Sequence, residues 1–257
     1  NNDTSPMTGA KLSRKELIPA ITLRNSIEEW RASQYNRIEM FELEIEQAEI
    51  ERGNFKVLFR GVWNNPDTAE PQAVAVLKLR SGSCESEAKL RVQVGNHPRI
   101  VRYCGVCHDN GHDFIITEYA ALGALVPTAF ATLQSQGWAF SFPHILAIIQ
   151  QVCSGMEAIA AAGIVHRNLA ATNVLLFAYD PTDACNTSAK ICGFHSSVSA
   201  DSVPSDAPDK RQFRHMPPEA LTHHSFSEHS DVWSMGVLCW EVLTAGERPF
   251  GSCGVAV

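Results

Sequence analysis

Gly163-Ile164-Val165-His166-Arg167-Asn168-Leu169-Ala170-Ala171-Thr172-Asn173-Val174-Leu175-Leu176 is the stretch on which the fold turns. Upstream of it, Ile145, Ile149, Val152, Met156 and Ile159 recur at spacings of four and three, the stripe of an amphipathic helix that Gly163 ends. Downstream, Val174-Leu175-Leu176-Phe177 and Ser188-Ala189-Lys190-Ile191 read as short strands, with Asp180-Pro181-Thr182-Asp183 as the turn between them. The polar run between helix and strand thus offers His166, Arg167, Asn168 and Asn173 from one loop. Two of these are carboxamides. An amide cannot take a proton from a hydroxyl, and one amide oxygen without a carboxylate beside it holds Mg²⁺ poorly.

The stretch resembles the catalytic loop of protein kinases, with Asn168 standing where that family places its catalytic aspartate. A positioned general base supplies roughly 100- to 10,000-fold in rate, about 3 to 5 kcal/mol of barrier, so the resemblance implies a kinase without its base. By the same resemblance Asn173 matches the second metal ligand, and Asp231 anchors the backbone of the His166-Arg167-Asn168 loop. Lys190-Ile191-Cys192-Gly193-Phe194-His195 is similar to the magnesium-binding segment, whose core reads Asp-Phe-Gly. Gly193 offers no carboxylate at the aspartate position, and the His195 imidazole is a poor ligand for so hard a cation.

The rest of the family's motifs follow in order over residues 42–257. Glu49 to Trp63 resembles two strands joined by the phosphate-covering loop, of which only the middle glycine, Gly53, survives beside Phe55. Glu51 and Lys56 hold the flanking glycine positions, where the carboxylate would repel phosphate. Ala73-Val74-Ala75-Val76-Leu77-Lys78 resembles the third strand. It offers Lys78 to the nucleotide phosphates, with Glu87 as its ion-pair partner, although the family's spacing would put the lysine at Leu77. Thr117 matches the gatekeeper, the main chain of Glu118 and Ala120 would face an adenine, and Leu175 would line its far side. Ser230-Asp231-Val232-Trp233-Ser234-Met235-Gly236-Val237-Leu238 resembles the central helix of the carboxy-terminal lobe, capped by Ser230 or Asp231.

The segment from Ser196 to Asp209 is rich in Ser, Asp and Pro and takes the activation-loop position; a phosphorylated serine there would meet Arg167, and the plainer reading is a solvated loop. By resemblance, Leu169-Ala170-Ala171-Thr172-Asn173 and Ser230-Asp231-Val232-Trp233 lean to the tyrosine-kinase-like and tyrosine-kinase branches, and Gly61-Val62-Trp63 favours the former.

Composition narrows the alternatives. With 257 residues, 45% hydrophobic and 19% charged, the chain reads as globular, and a net charge of −7 argues against nucleic acid as a partner. No uninterrupted apolar run reaches the eighteen or so residues that span a bilayer, and the amino terminus lacks signal-peptide character, so an intracellular protein with reduced cysteines and no membrane partner is expected. Cys104-Gly105-Val106-Cys107-His108 matches the haem-attachment pattern, but its β-branched and aromatic surroundings read as a strand, so no haem is expected.

Pro6 to Leu12, Leu17-Ile18-Pro19 and Thr22 to Trp30 are similar to the carboxy-terminal half of a U-box, a family that recruits ubiquitin-conjugating enzymes. The plainer reading of these residues is a helical linker. Both ends of the chain look cut.

The expectation is therefore an α+β, two-lobed protein-kinase-like fold, with a β-rich N-lobe at about 42–120 and a helical C-lobe at about 121–257 that is incomplete after its central helix. It is preceded by a partial U-box at 1–31 and a polar, helical linker at 32–41. The expected activity is that of a pseudokinase: ATP held weakly if at all, Mg²⁺ doubtful, and a protein partner docked on the domain. The alternatives are the substrate-selecting region of a ubiquitin ligase, with the complete U-box meeting a ubiquitin-conjugating enzyme, and a slow active kinase with other metal ligands.

Overall fold

A computed structural model describes residues 36–53, 55–68, 70–80, 84–137, 140–201 and 210–251. The U-box-like stretch and residues 202–209 of the Ser/Asp/Pro-rich segment lie outside them.

Five antiparallel strands build the first lobe: β1 (Leu43–Arg52), β2 (Lys56–Trp63), β3 (Gln72–Leu79), β4 (Tyr103–Asp109) and β5 (His112–Glu118), in the order β1-β2-β3-β5-β4. Helix α1 (Cys84–Val94) crosses between β3 and β4. The strands alternate as a two-sided sheet requires. Phe59, Trp63, Val74, Val76, Phe114 and Ile116 pack on one face. On the other, Leu58, Ala75, Leu77 and Ile115 meet Cys84 and Ala88 of α1. The β4–β5 hairpin closes on Asn110-Gly111, both at positive φ (48° and 74°), the pair that a tight hairpin turn favours. Asp113 on β5 accepts the first amide of α1, Cys84 N, at 3.1 Å, so a strand side chain satisfies a donor the helix leaves free.

Cys104 and Cys107 are buried in β4, as the strand reading required. The linker reading fails for its described residues. Arg37 bridges Val106 in parallel, Ile38 N donates to Val106 O at 2.8 Å, and the Ile38 side chain is buried in the lobe's core. Polar composition suggested a solvated helix; the open edge of β4 wins by offering backbone partners and an apolar slot.

The second lobe contains α2 (Phe130–Ser135), α3 (Phe142–Ala161), β6 (Ile164–Val165), β7 (Val174–Ala178), β8 (Ser188–Ile191), β9 (Val198–Ser199), α4 (Pro218–His223) and α5 (Glu228–Leu243). β7 pairs with β8 and β6 with β9. On α3, Ile145, Ile148, Val152, Gly155 and Ile159 face the core, with Ile149 and Met156 at its margin. Gly155 is required there, because a Cβ would stand 2.7 Å from Ile191 Cδ1 and 2.9 Å from the Arg99 carbonyl. α3 has the length and apolar content to cross a membrane, with a mean hydropathy of 1.3, yet this face is spent on β8 and the core. The lobes are strapped together by Val101 N to Ile191 O at 2.8 Å and Ile191 N to Arg99 O at 2.9 Å.

Helix α5 begins one turn earlier than expected. Its cap is Ser227, and the Ser230 hydroxyl closes a capping box from the third helical position. Val232, Trp233, Trp240 and Leu243 on α5 are exposed.

Candidate functional site

Helix α5 holds the loop at 166–173 from both ends with two carboxylates. Asp231 accepts His166 N at 2.7 Å and Arg167 N at 2.9 Å, as the family resemblance implied. One oxygen of Glu241, which the sequence reading missed, accepts Ala171 N at 2.9 Å, and His215 Nε2 lies 2.9 Å from it. Both acids are buried. Burial pushes Asp231 up to about 6, against the pull of its two amide donors. The loop's shape is thus fixed from outside, with Arg167 at φ +64° and its guanidinium 4.2 Å over the Phe226 ring.

Inside the loop, amides fill the place of the missing carboxylates. Asn168 is buried, and its Nδ2 lies 3.4 Å from Gly193 O and 3.3 Å from His195 Nε2. Asn173 Nδ2 donates to Asn168 O at 2.7 Å. Gly193 sits at φ +88°, and a Cβ there would stand 2.5 Å from Asn173 Oδ1 and 2.6 Å from Asn173 Cγ. The structure therefore brings Asn168, Asn173, Gly193 and His195 together, as the motifs led one to expect, but as a closed set of contacts. Mg²⁺ wants several hard oxygens in an octahedron. Of these four residues, only the two amides bring side-chain oxygens, so this site does not fit the ion.

The upper side of the cleft corrects one reading. Lys78 pairs in register with Val57 and Phe114 and shares their sheet face, its ammonium 5.9 Å over the Phe114 ring. Glu87 lies with α1 on the opposite face. The expected Lys78–Glu87 pair does not form, because a one-residue offset in a strand reverses the side. Leu77 faces α1 instead. Glu87 is buried and pairs with Arg91 at 2.8 Å, one helical turn on; that i,i+4 spacing was present in the sequence and went unread. Arg91 also lies 4.8 Å over the ring of Phe194, itself buried against His166.

Gly53 N, the amide expected to face phosphate, donates to Lys56 O at 2.9 Å, and the Phe55 ring lies 5.4 Å from that of His195. Thr117 is buried on the α1 face of the sheet, in register with Ala75. Glu118 uses its carboxylate to bind Arg102 N at 2.7 Å and Lys190 Nζ at 2.7 and 2.8 Å, joining β5 to β8. Ala120 O accepts Gly123 N at 3.1 Å, and half-buried Leu175 bridges Ala124.

His166 supplies a pH handle. Burial holds its imidazole down at about 4, outweighing the bond from Nε2 to Cys192 O at 3.1 Å, with His195 and Arg91 adding to the depression. A histidine lowered in the folded state costs nothing above its unfolded value of about 6.5 and costs progressively more as pH falls from there to about 4. Asp231 has the opposite sign, since its raised value relieves a buried charge as pH falls through about 6. The two offset each other, and His166→Gln exposes the difference. Between pH 7.5 and pH 5.0 the variant should gain about 2 kcal/mol on the native chain in urea unfolding. Parallel pH profiles would exclude this assignment.

Residues 44–256 match the family described as protein tyrosine and serine/threonine kinase. The chain belongs to that family. Among its curated relatives, human tyrosine-protein kinase TXK is 30% identical over 79% of this chain and 36% of its own length. Drosophila melanogaster Src64B is 32% identical over 80% of this chain and 37% of its own. Protein sevenless from the same fly is 32% identical over 78% of this chain and 8% of its own. The chain thus spans little more than a third of these relatives at most.

Proposed function

We propose that this chain is a pseudokinase: a two-lobed kinase domain that docks a protein partner and does not transfer phosphate. One observation carries the reading. The space over Gly193 that a metal-binding carboxylate would enter is taken by the Asn173 amide, which is tied to Asn168. Without a base at 168 or an acid at 193, a hydroxyl has no residue to deprotonate it and a divalent ion on the phosphates has no carboxylate to hold it. The cleft then serves as a shape, holding nucleotide weakly, in an intracellular signalling protein. The U-box resemblance of the first residues supports a second reading, in which this domain selects what a ubiquitin ligase modifies.

Transfer of labelled γ-phosphate to a general acceptor protein, with Mg²⁺ and with Mn²⁺, should stay at background. Robust transfer lost on Asn173→Ala would establish the slow-kinase reading in its place.

A further inference from the structure

We propose that Lys56, at the start of β2, is the cation of this cleft that grips nucleotide phosphate, a position that Lys78 does not reach. The proposal rests on the nucleotide part of the reading above and names the residue responsible.

Strand register places the side chain. Lys56 pairs with Leu79, and Leu58 with Leu77. Paired residues share a face, and Leu58 and Leu77 pack under α1. Lys56 therefore emerges on the face that carries Glu87, diagonally next to Leu77. The adjoining residue, Phe55, lies against His195, so the turn that carries Lys56 sits low over the segment at 193–195.

The electrostatics agree with this placement from two sides. Glu87 is held below its ordinary value despite burial, with Arg91 the larger cause and Lys56 the next. Burial raises the Cys192 thiol, and Lys56 is the strongest influence drawing it back. One ammonium thus reaches both α1 and the residue before Gly193, which brackets the middle of the cleft. It is also free for a ligand: Glu87 has its ion pair in Arg91, and Lys56 forms none among the described residues. Glu51 pairs in register with Leu58 and so shares this face, where its carboxylate opposes an entering phosphate.

A phosphate held by an ammonium alone needs no divalent ion, and that separates this arrangement from a metal-dependent one. ATP in excess EDTA should stabilise the 257-residue chain in a thermal-shift titration. Lys56→Met should weaken it at least tenfold, about 1.4 kcal/mol, while Lys56→Arg stays within roughly threefold and Lys78→Met is unchanged. On the native chain, where no variant has to fold, ATP should slow acetylation of Lys56 by about tenfold and leave Lys78 unaffected, read by mass spectrometry. If ATP binds and neither Lys56→Met nor Lys56 acetylation responds, Lys56 is only a second counterion for Glu87, and the proposal falls while nucleotide occupancy stands. If millimolar ATP gives no shift and no protection, both fall together.

Discussion

Asp231→Ala should cost about 3 kcal/mol of stability, the largest loss expected from any single side chain at the loop. The carboxylate satisfies two backbone donors, His166 N and Arg167 N, at 2.7 and 2.9 Å. Alanine leaves both without a partner in a buried setting, where each orphaned donor costs about 1 to 3 kcal/mol. Relief from burying a charge, visible in the raised value of Asp231, returns part of that and keeps the net in the lower half of the resulting range of about 2 to 6 kcal/mol. Asp231→Asn keeps one acceptor oxygen and should lose about half as much. Urea unfolding at pH 7.5 with an unchanged slope measures both. A loss under 1 kcal/mol for alanine would mean that the loop keeps its shape without Asp231.

The contrast between Asp231 and Asn168 shows what the fold demands and what chemistry demands. Asp231 and Glu241 point at amides of the main chain, which every sequence possesses, so their work is independent of any ligand. In the kinase resemblance the positions at 168 and 193 are the ones that would face a reacting group, and carboxylates there would repel each other and the neighbouring carbonyls in the absence of a metal. Asn168 Nδ2 lies 3.4 Å from Gly193 O as a donor; an aspartate oxygen in its place would set two acceptors against each other.

The fold was legible because motif order and period agree: the stripe on α3, the strands at β2 and β3, and the loop between α3 and β7 all lie where the sequence put them. Failures came from side and edge. Lys78 is one residue from the face it was assigned to, and a motif search tolerates that offset whereas a pleated strand does not. Residues 36–38 carry helical composition but meet an unpaired strand edge, which only the tertiary structure reveals. The Glu87–Arg91 pair was readable as an i,i+4 spacing. That it leaves Lys56 the cation facing the cleft required the register of β2 against β3.

Gly193→Asp, which restores the family's residue, should lower stability by about 3 kcal/mol and restore no transfer. The backbone stands at φ +88°, where a side chain costs on the order of 1 kcal/mol or more. A Cβ would stand 2.5 Å from Asn173 Oδ1, so Asn173 must turn away and break its 2.7 Å bond to Asn168 O, about 1 kcal/mol further. A domain of this size should lose roughly 6 to 12 °C in melting temperature. Gly193→Ala separates the contributions: it carries the backbone and Cβ penalties without the new charge, and should cost about 2 kcal/mol. Adding Asn173→Gly to Gly193→Asp empties the occupied space and should recover part of the loss. The base at 168 is still absent in each of these variants, so phosphoryl transfer should stay at background even where Mg²⁺ now raises the melting temperature. A Gly193→Asp chain as stable as the native one would show that Asn173 does not hold the position.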